Sequence, residues 1–140
     1  MKALADRRAR IARVRRVQHL QAVGASAIAE GKLVQLEGNA QRLEGLRNSL
    51  SGEAGHTNGA ALGHAGELAM RLDTVRQGLD RAIGSAREAV ELRSQERIGA
   101  HIARESAERL QTRAVAEMHK MIEERMAAAF RPRRKDAEND

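Results

Sequence analysis

Apolar residues recur along this chain at alternating steps of three and four, the spacing of helices that pair through one face. In the first half, the row consists of Leu33, Leu36, Ala40, Leu43 and Leu50. In the second half, a longer row rich in alanine comprises Leu68, Leu72, Val75, Leu79, Ala82, Ala86, Ala89, Ala100, Ala103, Ala107, Leu110 and Ala114. Beyond it, the apolar stripe moves by one residue to Val115, Met118, Ile122 and Met126. Each half therefore predicts one long helix.

The two rows are separated by SLSGEAGHTNG, residues 49–59, where turn-forming residues accumulate without helical periodicity. We expect helix 1 over about 4–50, a turn over about 51–60 and helix 2 over about 61–130. Helices joined by so short a connection fold back on each other. The predicted fold is all-α: a long antiparallel two-helix coiled-coil hairpin over 1–131, with a longer C-terminal helix and a polar disordered tail over 132–140.

The predicted helices differ in length, which has a consequence for the end of helix 2. If they pair symmetrically back from the turn, residues beyond about 107 have no partner in helix 1. A single helical arm is then expected, with an apolar stripe available to another protein. This arm would carry Val115, Met118, Met121, Ile122, Met126 and Phe130.

Glycine recurs every seventh residue from Gly24 through Gly31, Gly38 and Gly45 to Gly66. With Leu33 and Leu36 in the first and fourth heptad positions, these glycines lie in the sixth, farthest from the partner helix. Two interpretations remain open, a tolerated weakening of helix 1 or a smooth face for close approach of another backbone.

Composition narrows the function classes. Aromatic residues make up 1% of the 140 residues, cysteine is absent, and the single proline is Pro132. The five histidines show no metal-ligand spacing, and no glycine-rich segment has the phosphate-loop pattern. Glu123 and Glu124 are adjacent and diverge around a helix, so they do not form an acid/base pair. We expect no enzyme activity, no cofactor, no metal site and no small-molecule substrate.

Positive charge is concentrated at the start of the chain. The chain has a net charge of +6, and residues 1–16 alone carry seven basic residues against Asp6. We call six of them the basic cluster: Arg7, Arg8, Arg10, Arg13, Arg15 and Arg16. The cluster could contact nucleic-acid phosphates, an anionic membrane with Ile11, Val14, Val17 and Leu20 beneath it, or an acidic protein surface. The absence of aromatic stacking residues and of a recognisable nucleic-acid module favours the protein surface.

The segment HKMIEERMAAAFRPR near the end resembles the FliJ family of flagellar export proteins. Six residues match the family there: Lys120, Met121, Glu123, Ala128, Ala129 and Arg131. Leu33, Leu36 and Leu43 before the turn, and the spacing of Leu68, Leu72, Val75 and Leu79 after it, are also similar to the family pattern. The aromatic residues that the family usually has near the turn are missing here.

The resemblance implies a non-enzymatic stalk or escort of the bacterial flagellar type III export apparatus, serving flagellum biogenesis and motility. It implies a cytoplasmic protein, peripherally associated with the inner-membrane export apparatus and monomeric as a hairpin. Its partners would be the export ATPase hexamer, the cytoplasmic domain of the export gate, and export chaperones. Contacts with the ATPase ring would come from Ile11, Val14, Met118, Met121, Ile122 and Phe130, and contacts with the gate from Leu36, Leu43, Leu68, Leu72, Val75 and Leu79. The alternative is a basic coiled-coil structural protein associated with nucleic acid or an anionic membrane.

Overall fold

A computed structural model describes residues 1–53 and 59–132 of the chain. Within them it contains two helices, α1 over Lys2–Glu53 and α2 over Gly59–Ala129. The two helices pack against each other as an antiparallel hairpin, and the C-terminal helix is the longer one. The predicted fold class is confirmed, and every helix end lies within three residues of its expected place. The centre of the predicted turn and the end of the predicted tail, residues 54–58 and 133–140, lie outside the described residues.

Helix-forming residues without an internal proline account for the length of both elements. Alanine, leucine, arginine, glutamate and glutamine have high helix propensities, and Pro132 lies just beyond α2. No stretch within the described part of either helix is long and apolar enough to cross a membrane.

The hairpin divides into two compact units. Unit 1 comprises Met1–His19 with Ala100–Asp140, and unit 2 comprises Leu20–Gly99. In unit 1, Arg16 of α1 forms an ion pair with Glu108 of α2. In unit 2, Arg47 of α1 forms an ion pair with Asp73 of α2, and Glu37 forms one with Arg87. Both units therefore consist of one α1 segment paired with one α2 segment.

The seam predicted for α1 is confirmed, and it continues to the N-terminus of the helix. Counted back from Leu33 in steps of seven, the inward positions carry small or polar residues. Their side chains are buried or half-buried: Ala5, Ala12, His19, Ser26 and Leu33. Ala12 is 0% exposed and Ser26 is 1% exposed. Such short side chains allow the backbones of paired helices to approach closely.

The seam predicted for α2 is half right. The row of Leu72, Leu79, Ala86 and Ala107 faces α1 as expected. The companion row lies one residue further along than predicted, because Leu68, Val75 and Leu110 are 43%, 53% and 39% exposed. The inward residues of that second row are instead Arg76, Ile83, Val90, Arg97 and Arg104. Arginine can occupy such a row because its aliphatic stem packs while its guanidinium reaches polar groups.

The prediction of an unpaired arm beyond residue 107 is wrong for most of its length. Arg16 binds Glu108, so α1 still has fourteen residues, 2–15, left to pair with the following part of α2. Five residues at the start of the chain line one groove together with five residues of α2: Met1, Lys2, Ala5, Asp6 and Ala9 with Val115, Met118, Met121, Ile122 and Arg125. The error came from assuming that the helices pair symmetrically back from the turn.

Candidate functional site

An open groove lies in unit 1 between the first turns of α1 and the last turns of α2. Its volume is about 680 Å³. We call it the terminal groove, and its lining residues are Met1, Lys2, Ala5, Asp6, Ala9, Val115, Met118, Met121, Ile122 and Arg125. Methionine is flexible and polarisable, and it is common on surfaces that adapt to a partner. The lining is therefore suited to contact with apolar side chains of another molecule.

The terminal groove begins where the cross-helix ion pairing of unit 1 ends. The Arg16 Nε atom donates a hydrogen bond to Glu108 Oε1 at 2.9 Å, on one flank of the helix pair. One heptad toward the chain termini, the corresponding residues are Ala9 and Val115, and both line the groove. One heptad further are Lys2 and Ile122, which also line it. Neither of these two residue pairs can form an ion pair across the helices, so none closes this flank.

The ion pair that borders the groove perturbs the carboxyl group of Glu108. The hydrogen bond from Arg16 is the largest cause and lowers the pKa of Glu108 below its ordinary value. Burial acts in the opposite direction, and the charges of Arg16 and Arg104 add to the lowering. Glu108 is therefore ionised over the whole neutral range and carries the negative charge of its ion pair with Arg16.

Other cations beside the terminal groove have no such partner. Lys2 and Arg125 line the groove, and neither forms an ion pair or side-chain hydrogen bond within the described residues. Arg13 follows Ala9 by four residues and Asp6 by seven, so it continues the row of α1 that borders the groove, and Arg10 lies on the neighbouring outer row. These two arginines also form no ion pair with any described residue. Asp6 is the single acidic residue of the lining.

The whole of unit 1 is strongly basic. It contains sixteen lysine and arginine residues against nine aspartate and glutamate residues, a net charge of +7. Unit 2 contains nine basic and ten acidic residues, a net charge of −1. The positive charge of the chain therefore belongs to the unit that contains the terminal groove.

The residues predicted to contact an ATPase ring all lie in unit 1, but not on one surface. Met118 and Met121 are half-buried in the terminal groove, and Ile122 lines it with 45% exposure. Phe130, just beyond α2, is 81% exposed. Ile11 and Val14 are 37% and 55% exposed and do not line the groove.

The residues predicted to contact an export gate all lie in unit 2. Leu36, Leu43, Leu72 and Leu79 are half-buried, whereas Leu68 and Val75 are exposed. Leu43 and Leu72 line a shallow cleft of about 330 Å³ together with the ion pair of Arg47 and Asp73. The charged groups of this cleft are thus engaged with each other, in contrast to those of the terminal groove.

A polar cluster in unit 1 was not predicted from the sequence. The rings of His19 and His101 lie 5.5 Å apart, and the guanidinium of Arg104 is 3.4 Å and 3.3 Å from their Nδ1 atoms. A guanidinium can only donate, so in a hydrogen bond with Arg104 each Nδ1 atom is the acceptor. The Nε2 atom of His101 lies 3.4 Å from Glu105. Among the described residues, no group of three or more potential ligands is placed to hold a metal ion.

Comparison with known proteins gave no match. No protein-family model, no curated protein and no solved structure matches this chain.

Proposed function

We propose that this chain is a non-enzymatic docking protein, a stalk or escort component of the bacterial flagellar type III export apparatus. Unit 1 would bind the export ATPase ring, and unit 2 would reach the cytoplasmic domain of the export gate. Export chaperones would be further partners. The protein would work in the cytoplasm, peripherally associated with the inner-membrane export apparatus, and would take part in flagellum biogenesis and motility.

The observation that carries this proposal is the coincidence of the terminal groove and uncompensated positive charge in unit 1. Specific protein interfaces combine an apolar contact area with a polar rim, and complementary charge accelerates association. The terminal groove supplies the apolar area through Val115, Met118, Met121 and Ile122. Lys2, Arg10, Arg13 and Arg125 supply the charge.

The assignment to flagellar export rests on the resemblance of HKMIEERMAAAFRPR to the FliJ family. Part of this segment, Met121, Ile122 and Arg125, lines the terminal groove. The sequence resemblance and the geometric candidate for docking therefore fall on the same turns of α2.

A second candidate function is association with an anionic membrane surface. Val14, Val17 and Leu20 are 55%, 54% and 69% exposed, and they follow Arg10 and Arg13, which form no ion pair with a described residue, on the outer side of α1. Interfacial helices combine exposed apolar residues and arginines in this way. This candidate uses Val14, Val17 and Leu20, which do not line the terminal groove, so the two candidates can be separated by mutation of these apolar residues.

The test measures binding of the purified chain to the purified export ATPase of the same organism, and in parallel to vesicles containing phosphatidylglycerol. We expect saturable binding to the ATPase, weakened about tenfold or more by Ala9→Leu, because the new side chain fills a groove that a partner would occupy. Ala27→Leu, a change at an exposed position of unit 2, is the matched control and should bind like the wild type. Absence of ATPase binding would contradict the proposal. Vesicle binding that is lost in Val17→Gln and Leu20→Gln but kept in Ala9→Leu would support the second candidate in its place.

A further inference from the structure

The chemistry of the terminal groove restricts what can occupy it. Its α2 side is apolar, with Val115, Met118, Met121 and Ile122, and its α1 side has the short side chains Ala5 and Ala9. A partner must therefore bring its own apolar volume, because the short side chain of the half-buried Ala9 leaves the groove open beside Val115. A helix with apolar residues spaced by three, four and seven positions is the recurrent occupant of such a groove between two helices.

The charge around the groove indicates that the occupant also carries acidic residues beside its apolar ones. On the α1 side, Lys2 lines the groove, Arg13 continues the row of Asp6, and Arg10 lies on the neighbouring outer row; none of the three cations has an ion-pair partner among the described residues. On the α2 side, Arg125 lines the groove and also forms no ion pair with a described residue. Asp6 is the single acidic residue of the lining. A cationic occupant would be repelled, whereas aspartate or glutamate along one edge of the occupant would find four donors.

We propose that the terminal groove binds an acidic amphipathic helix of a partner protein. Its apolar face enters between α1 and α2, against Met118 and Ile122, and its acidic edge lies along Arg10 and Arg13 of α1. This inference deepens the proposed docking function and rests on it for the identity of the partner. The chemistry of recognition, however, can be tested with no export component present.

The probe is a synthetic helical peptide of about five turns, with leucine and one tryptophan on its apolar face and glutamate along one edge. A second peptide with lysine in place of every glutamate is its matched counterpart. The chain itself contains no tryptophan and no tyrosine, so peptide fluorescence reports binding without background. Titrations are made with the full chain at two salt concentrations.

We expect the acidic peptide to bind about tenfold more tightly than its lysine counterpart, because like-charge contacts oppose the latter. The double variant Arg10→Gln with Arg13→Gln should lose about three- to tenfold in affinity and show a weaker salt dependence. The matched control is Arg42→Gln with Arg81→Gln, two unpaired arginines of unit 2, and it should bind like the wild type.

The groove itself is tested by Ala9→Leu, which fills it, and by Val115→Gln, which removes an apolar contact. Circular dichroism of each variant verifies that the hairpin is folded, and either variant that keeps the fold suffices for the test. Both should reduce binding of the acidic peptide about tenfold, with its salt dependence retained. Equal binding of the two peptides would overturn the inference. It would also be overturned by binding that is indifferent to Ala9→Leu and Val115→Gln, or by duplex DNA or anionic vesicles displacing the peptide completely.

Failure of this inference and failure of the proposed function give different results. If the acidic peptide binds as expected but the export ATPase does not, the groove chemistry stands and the export assignment falls. If the ATPase binds and both peptides bind equally, docking stands and the acidic helix is the wrong occupant.

Discussion

At the scale of single residues, arginine explains most of the difference between the predicted and the observed seam. Arg76 is half-buried in the inward row of α2, where its Nη1 atom donates to the carbonyl oxygen of Ala40 at 3.3 Å. The same side chain pairs with Glu44 of α1 and with Asp80 of its own helix. Hydropathy treats arginine as an outward residue, so the sequence pattern favoured Val75 in its place.

Glu108 is the residue whose ionisation reports directly on the pairing of the helices in unit 1. Its lowered pKa means that its contribution to stability is complete above the ordinary carboxyl pKa and is lost as the pH falls through the folded-state value. We therefore expect Arg16→Gln to raise the titration midpoint of Glu108 toward the ordinary value, because the strongest donor to its carboxylate is removed. The midpoint is measured by the chemical shift of the side-chain carboxyl carbon.

Arg15→Gln is the control for this prediction. Arg15 donates a hydrogen bond to Gln18 within α1 and has no contact with Glu108, so the Glu108 midpoint should stay in place. An unchanged midpoint in Arg16→Gln would mean that the ion pair is not formed in solution and that the pairing of unit 1 differs from the one described.

At the scale of the helices, the sequence pattern predicted the bounds of both helices and the heptad register of α1. Leu33 and Leu36 set a heptad register that holds from Ala5 to Ala40. In α1 only one row of positions carries mostly short or apolar residues, so no second register fits the pattern. In α2, alanine occurs in the predicted second row and Ile83 and Val90 in the row beside it, so periodicity alone could not choose between the two.

The terminal groove could not be predicted from the sequence for a related reason. Its α1 side depends on Ala5 and Ala9, which carry almost no hydrophobic signal. The apolar residues that attracted attention nearby, Val14 and Val17, point to solvent. The apolar stripe of α2 was recognised, but its partner segment was not, since pairing between helices depends on tertiary contacts that helical periodicity does not encode.

The glycines of α1 provide a prediction about the helix as an element. Gly31, Gly38 and Gly45 have no positive φ, and a methyl group added to any of them would meet no atom within 4 Å. Replacing each by alanine should therefore stabilise the hairpin by up to ~1 kcal/mol, since glycine is a poor helix residue. Urea unfolding followed by circular dichroism measures the gain.

The reverse change at an exposed alanine, Ala27→Gly, is the matched control and should cost a similar amount. If Gly31→Ala, Gly38→Ala and Gly45→Ala instead lower the free energy of unfolding, these residues contact something in solution that the hairpin alone does not contain. The close-approach interpretation of the glycine heptad would then replace the interpretation of a tolerated weakening.

At the scale of the molecule, the two units of the hairpin differ in net charge and in the surfaces they present. Unit 1 carries the net positive charge and the open terminal groove, whereas the charged residues lining the cleft of unit 2 include the paired Arg47 and Asp73. This division favours docking through unit 1. The structural claim on which both proposals depend is therefore that the first turns of α1 pair with the last turns of α2.

That claim is tested most directly by distances between spin labels in unit 1, which can be attached cleanly because the chain has no cysteine. One doubly labelled variant carries Lys2→Cys with Ile122→Cys, and the other carries Lys2→Cys with Arg109→Cys. Lys2 and Ile122 line the same groove, whereas Arg109 lies about 20 Å back along α2 at 1.5 Å per residue. We expect the Lys2–Ile122 distance to be clearly the shorter of the two. A shorter Lys2–Arg109 distance would show that α2 ends in an unpaired arm and that the terminal groove does not form.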